Sequence, residues 1–239
     1  MRSSIKVKKN KPIAIFVSDI HLSDKAPVIR KDRNWLKTQK HHIRKLWAYG
    51  ELGIPVFCAG DVFHKWNSSA ELINFALANL PKMWAIPGQH DLPYHSHDQI
   101  HKSAYWSMVM AGKIKPVPNG KFIHVPFPTT TLPEQRPEKS LFVYGGAWNV
   151  PIDEASIQEA WGEFRKGLSA SSIKNGYLRI ALIHKYMWIN GHSHPGAPEE
   201  NNVYNHPKTW KEFDVALIGD NHSPFDVKVR GFNKTCHVW

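Results

Sequence analysis

Short, mainly apolar runs recur along this chain, and most of them stop at a polar string. Ile13 to Val17, Ile54 to Ala59, Met83 to Ile86, Leu178 to Ile183 and Val215 to Ile218 are such runs. Runs of this kind, bounded by Gly, Asp and Pro, predict strands buried on both faces. Between the early ones the apolar period changes to that of a helix. Leu36, Ile43, Leu46 and Trp47 form a stripe within residues 35–49, and Leu72, Ile73, Ala76, Leu77 and Leu80 form another. Ser68 and Glu71 in front of the second stripe read as a capping box. Ile157, Ala160, Trp161, Phe164 and Leu168 make a third stripe. Strands separated by helices predict parallel crossovers in the first half. The second half predicts a further sheet from residues 121–125, 141–145, 178–183, 213–218 and 225–229, with fewer helices. The fold class is α/β.

The polar strings at the strand ends are SDIH at 18–21, GDVFH at 60–64, GQHD at 88–91 and GDNH at 219–222, with a lone His184 after the 178–183 run. Asp19 and His21 are two positions apart, so both side chains leave one face if strand geometry persists. A single Asp or His after a strand is ordinarily a turn former. Five strand ends that deliver carboxylates and imidazoles to one rim are another matter, because open α/β sheets bind ligands at that rim.

These strings, in this order, resemble the calcineurin-like metallophosphoesterase superfamily. Its pattern is D-x-H, then G-D-x-x, then G-N-H-D or G-N-H-E, then a lone His, then G-H-x-H, and the match runs from Asp19 to His222. GDVFH, with His64 three residues after Asp61, is similar to the SbcD-type branch of nucleases that trim broken DNA ends. The resemblance implies two packed mixed β-sheets flanked by helices. It implies that Asp19, His21 and His222 hold one metal ion, that Asp61 bridges to a second, and that Gln89, His184 and Asp220 complete the second site. His90 would face the phosphate with His64 in support, and Asp91 joins this catalytic set by holding a nearby backbone or imidazole nitrogen.

Two divalent ions about 3.5–4 Å apart acidify a bridging water to hydroxide near neutral pH and clamp phosphoryl oxygens for in-line attack. Two residues depart from the family. Gln89 replaces Asn and is one methylene longer. Asp220 replaces the first His of G-H-x-H and exchanges a neutral nitrogen for an anionic oxygen. Both departures fall on the second ion, and an oxygen-rich site favours Mn²⁺ or Mg²⁺ over Zn²⁺. Mn²⁺ is the expected cofactor, with Mg²⁺, Fe²⁺ and Zn²⁺ as the other candidates.

Gly191 to His194 spell a literal G-H-x-H. They follow His184 too closely for a further strand and its crossover, which takes a dozen or more residues. The last ligands are therefore assigned to Asp220 and His222, and His192 and His194 are read as rim residues that meet substrate.

The net charge is +11 at pH 7, which makes a polyanion, here DNA, the natural partner. Lys25, Arg30, Lys31 and Arg33 directly follow His21 and are placed to guide a nucleic-acid backbone. Lys37, Lys40, Arg44 and Lys45 read as the wet face of a helix. Trp66, just after GDVFH, is the tryptophan singled out for stacking on a base. An SbcC-like ATPase partner is implied by the family resemblance alone. The sequence contains neither a membrane-length apolar stretch nor a secretory h-region, so no membrane partner is expected and a cytoplasmic location is. Two cysteines provide no disulfide framework.

Residues 1–239 are expected to form one catalytic domain, with residues 187–212 as a rim loop or insertion. His237 to Trp239 read as a strand still running, as in a chain cut short or a minimal nuclease. The function expected is metal-dependent phosphodiester hydrolysis on DNA, by an exonuclease or endonuclease. The alternatives are a phosphoesterase for small nucleotides or phosphoproteins, and a degenerate nucleic-acid-binding scaffold.

Overall fold

A computed structural model describes residues 12–126, 140–150, 152–169, 176–188, 196, 198–203, 207–221, 225–228 and 235–238. The first half alternates as the periodicity predicts. Strands β1 (Ile15–Val17), β2 (Val56–Ala59) and β3 (Met83–Ile86) are separated by helices α1 (Trp35–Glu51) and α2 (Ala70–Asn79). Three short 3₁₀ turns, Gln89–Asp91, Pro93–His95 and His97–Lys102, then lead to α3 (Ala104–Met110) and β4 (Ile114–Pro116). These four strands form one parallel sheet in the order β1-β2-β3-β4.

The second half supplies β5 (Phe122–Pro126), β6 (Ser140–Gly146), α4 (Glu154–Lys166), β7 (Tyr177–His184), α5 (Pro207–Lys211), β8 (Val215–Gly219), β9 (Phe225–Lys228) and β10 (Thr235–Val238). They build a six-stranded mixed sheet in the order β5-β6-β7-β8-β10-β9. The core β6, β7 and β8 pair in parallel, with His184 opposite Gly219 at the end of the ladder.

The two sheets meet across an apolar layer. Phe57, Ala59 and Ile86 from the first sheet pack with Leu141, Val143, Ile180, Leu182 and Leu217 from the second, all nearly closed to water. Burial of this kind stabilises by roughly 25 cal/mol per Å² of apolar surface, and here it also fixes the strand ends of one sheet against those of the other. A second layer of Ile43, Leu72, Ala76, Tyr105 and Met108 holds α1 to α3 on the outer face of the first sheet. A third, rich in aromatic rings, joins α4 to the second sheet through Phe122, Phe142, Trp161 and Phe164.

Several local expectations change. β1 starts at Ile15 rather than Ile13 and is only half-buried, because it is the edge strand of its sheet, whereas β2 is buried throughout. The cap of α2 is Ser69, whose hydroxyl accepts from Leu72 N at 3.1 Å; Ser68 Oγ donates instead to Lys65 O. β4 carries a single buried residue, Ile114, followed by Lys115 and Pro116, too little apolar pattern to predict a strand. The described parts of 187–212, the segment expected as a rim loop or insertion, contribute to the core. Met187, Trp188, Val203 and Trp210 are buried, and Trp188 exchanges backbone hydrogen bonds with Asn201 and Val203. The expected strand at the chain end is present as β10. Among the described residues no helix is long and apolar enough to cross a membrane.

Candidate metal centre

The C-terminal ends of β1, β2, β3, β7 and β8 converge, and the polar strings follow them. Asp19 and His21 follow β1, Asp61 follows β2, Gln89 to Asp91 follow β3, His184 ends β7 and Asp220 follows β8. The strand geometry assumed for Asp19 and His21 does not persist, since β1 stops at Val17. Asp19, His21, Asp61 and Asp220 all have positive φ, at 52°, 46°, 51° and 74°. Asp and His tolerate the left-handed region better than most residues but still at a cost of order 1–3 kcal/mol each. The turns are pinned by backbone bonds: Asp19 N donates to Gly60 O, His21 N to Asp61 O, and Asp220 N to the Asp19 carboxylate at 3.1 Å.

Asp61 is at the centre and fully buried. Its Oδ1 accepts from His90 N at 3.0 Å. Its Oδ2 accepts no hydrogen bond, yet three imidazole Nε2 atoms face it, from His184 at 3.5 Å, His21 at 3.6 Å and His90 at 4.0 Å. A buried carboxylate oxygen surrounded by nitrogens just beyond good hydrogen-bonding distance fits a shared cation better than a proton. Asp19, Asp61 and His184 bring ligand atoms within 4.8 Å of one another, as do His21, His64 and His90.

The residues expected at the second ion form a chain of contacts. His184 Nε2 lies 2.5 Å from Gln89 Oε1, and Gln89 Nε2 donates to Asp220 Oδ1 at 2.5 Å. The extra methylene of Gln89 therefore lets its carbonyl reach the imidazole nitrogen that a metal would use. His184 Nδ1 is 2.6 Å from Ala59 O. Both of its partners are acceptor oxygens, and a neutral imidazole can donate to only one of them. Burial alone would lower the His184 pKa, but the Asp61 carboxylate outweighs it and raises it to about 9. For Asp61, burial pushes upward and is overcome by His184, His21 and His90, which hold the carboxyl below its usual range. Burial raises Asp220, against the Gln89 amide.

Glycine makes this closeness attainable. A Cβ on Gly88 would lie 2.1 Å from Asp61 Oδ1 and 2.5 Å from Asp61 N, and one on Gly60 would lie 2.3 Å from His184 Nδ1.

The supporting residues act through the backbone. His90 Nδ1 donates to the main-chain carbonyl of His64 at 2.9 Å, and the two rings stack at 5.4 Å. His64 therefore orients His90 through its backbone and ring face, not through a side-chain hydrogen bond. Asp91 holds nearby backbone nitrogens, as expected, and away from solvent. It is fully buried and accepts from Val62 N, Phe63 N and Gly88 N at 3.1, 2.9 and 3.1 Å, which ties the loop after β2 to the loop after β3. Burial lifts its pKa to about 7.

Lys25, Arg30, Lys31 and Arg33 are exposed on the loop after His21. Arg30 is engaged locally, with Nε 2.7 Å from Asp32 Oδ2 and its guanidinium over Trp35. Trp66 is half-buried, with its ring 5.7 Å from Tyr94. His192, His194 and His222 lie outside the described residues, and with them the choice between the two final ligand strings. Tyr94 was not predicted; the only sequence signal for it is its position just after GQHD.

A family model described as calcineurin-like phosphoesterase matches residues 14–230. The chain belongs to that family. A phosphoesterase of this family is a metal-dependent hydrolase with a dinuclear centre, and the donor set around Asp61 has the composition that such a centre needs. No curated protein matches the sequence.

Proposed function

We propose that this phosphoesterase is a phosphodiesterase acting on DNA, and that Asp61 is the ligand common to two divalent ions. The observation that carries the reading is the buried Asp61 Oδ2, faced by three imidazole nitrogens and accepting no hydrogen bond. Asp19, His21 and His222 would hold one ion, and Gln89, His184 and Asp220 the other. Bound ions supply what the side chains lack, acidification of a water and neutralisation of phosphoryl charge. Mn²⁺ or Mg²⁺ suits the oxygen-rich second set.

The chain's own groups do the rest. His90, its Nδ1 held by His64 O, has Nε2 4.0 Å from Asp61 Oδ2, beside the proposed ions, where it would donate to the developing negative charge or protonate the leaving oxygen. Asp91 acts through the backbone, holding the loops that carry Asp61 and His90.

DNA as substrate is favoured by the +11 charge and by the cationic loop beside His21. Lys25, Lys31 and Arg33 would meet phosphates, with Arg30 divided between Asp32 and substrate. An SbcC-like ATPase partner and a role in DNA repair rest on the resemblance of the GDVFH string to the SbcD-type branch alone.

Hydrolysis of bis-p-nitrophenyl phosphate and of duplex and single-stranded DNA with Mn²⁺ tests this reading. Activity on both that vanishes in Asp61→Ala is the expected result. Activity on nucleotides or phosphopeptides but not on DNA would reassign the substrate, and inactivity of the parent protein with strong DNA binding would make it a scaffold. Metal content of His222→Ala against His194→Ala assigns the remaining ligand.

A further inference from the structure

Tyr94 is 79% exposed, although Asp91, Leu92 and Pro93 immediately before it are buried. The ring is thrust out from a rigid stem. Both Tyr94 and His95 have positive φ, at 54° and 57°, with no glycine at either position. A bulky residue in this region is uncommon, and consecutive ones are costly, so the surrounding structure must hold them there. It does so from several sides. His95 N donates to Leu92 O and Ser96 N to Pro93 O. Two residues further on, His97 Nε2 donates to Trp148 O at 2.6 Å, and its Nδ1 accepts from Asn119 Nδ2 at 3.3 Å.

The strained turn places the Tyr94 ring against Trp66, with centroids 5.7 Å apart and planes inclined by 47°. Trp66 is itself anchored, because its carbonyl accepts from Ala104 N at 2.7 Å at the start of α3. The pair adjoins the metal centre along both chain segments. Trp66 comes two residues after His64 and Tyr94 four after His90, and His64 and His90 are stacked. Lys65, between His64 and Trp66, is exposed and cationic.

We infer that Tyr94, backed by Trp66, is a stacking platform for the base of a nucleotide next to the scissile phosphate. The inference rests on the phosphodiesterase reading and adds how the nucleotide is held. An exposed aromatic face at a fixed angle accepts any base, because every base has a π-face. The platform therefore contributes affinity and position without sequence preference. A tyrosine that merely covers Trp66 would need only apolar bulk. The two roles separate when the side chain is changed.

The test compares binding of two single-stranded oligonucleotides of about ten nucleotides, a length within the site sizes typical of such grooves, one thymidine-containing and one fully abasic. Binding is measured in EDTA, so it needs neither metal nor cleavage. The parent protein and Tyr94→Phe should prefer the base-containing strand by about 5- to 150-fold, the range given by one stacked base. Tyr94→Leu, which still covers Trp66, should bind both strands alike. Full preference retained by Tyr94→Leu, or equal binding of both strands by the parent, would overturn the platform. Cleavage of the thymidine strand by the parent with Mn²⁺ is scored separately. Its failure would sink the phosphodiesterase reading and leave the binding comparison to decide the platform.

Discussion

His184 Nε2 lies 3.5 Å from Asp61 Oδ2, and the two residues come from different sheets. His184 ends a strand of the six-stranded sheet and Asp61 follows one of the four-stranded sheet. Their separation is therefore set by the apolar layer between the sheets, where Phe57 and Ala59 meet Leu182 and Leu217. The centre is a product of that packing as much as of its ligands.

Asp61→Ala removes the one carboxylate that, among the described residues, faces all three imidazoles. Loss of several kcal/mol of charge stabilisation corresponds to a fall in kcat/KM of roughly 10²–10⁴-fold. Steady-state hydrolysis of bis-p-nitrophenyl phosphate with Mn²⁺ measures it, and metal content should fall in parallel. Unchanged activity would remove Asp61 from the mechanism.

Metal binding should release protons. The His184 imidazole, raised from its ordinary 6.5 to about 9, stabilises the metal-free fold fully below pH 6.5 and loses that contribution as pH rises through about 9. A divalent ion requires the neutral ring. Mn²⁺ affinity should therefore climb across that same window, by up to about tenfold per pH unit. Calorimetric titration at pH 7 in buffers of different ionisation enthalpy should show close to one proton released per ion at this position, and none would contradict the assignment.

Asp91→Ala strands three buried N–H groups. Each costs about 1–3 kcal/mol when left unsatisfied, so stability should fall by at least ~3 kcal/mol and the melting temperature by no less than roughly 6–12 °C. Thermal unfolding followed by circular dichroism checks this. A loss of activity without a loss of stability would give Asp91 a chemical role that its burial argues against.

Gly88→Ala tests the crowding at Asp61. The added methyl would meet Asp61 Oδ1 at 2.1 Å, so the carboxylate or the loop must move. Overpacking of this kind costs about 1–3 kcal/mol. Mn²⁺ affinity should drop further than stability does, and calorimetry beside thermal melts separates the two effects.

That the strand ends gather carboxylates and imidazoles was legible because Asp and His follow apolar runs, a pattern that local sequence carries. How they are presented was not. Asp19 and His21 alternate as if in a strand, yet the chain turns left-handed at both, and no glycine signals the turn. Tyr94 was missed for the same reason. β4 escaped notice because its place depends on pairing with β3, with Ile114 opposite Met83, and not on its own pattern. The role of His64 was partly read: its position was evident, but its use of a carbonyl to orient His90 depends on backbone geometry.

Asp220→His restores the family's imidazole in the second set. The contact that Gln89 Nε2 makes with Asp220 Oδ1 would be lost, and a nitrogen ligand would replace an oxygen. Selectivity should shift from Mn²⁺ toward Zn²⁺. Metal analysis after equilibration with equal concentrations of both ions reads the shift, and an unchanged ratio would show that Asp220 does not contribute to the choice of ion.

The left-handed turns at Asp19, His21, Asp61 and Asp220 also bear on engineering. Transplanting only the side chains onto another α/β scaffold would deliver the right atoms on the wrong trajectories. The loops themselves would have to be carried over, together with Gly60 and Gly88 beneath them, before a borrowed centre could close around its cargo.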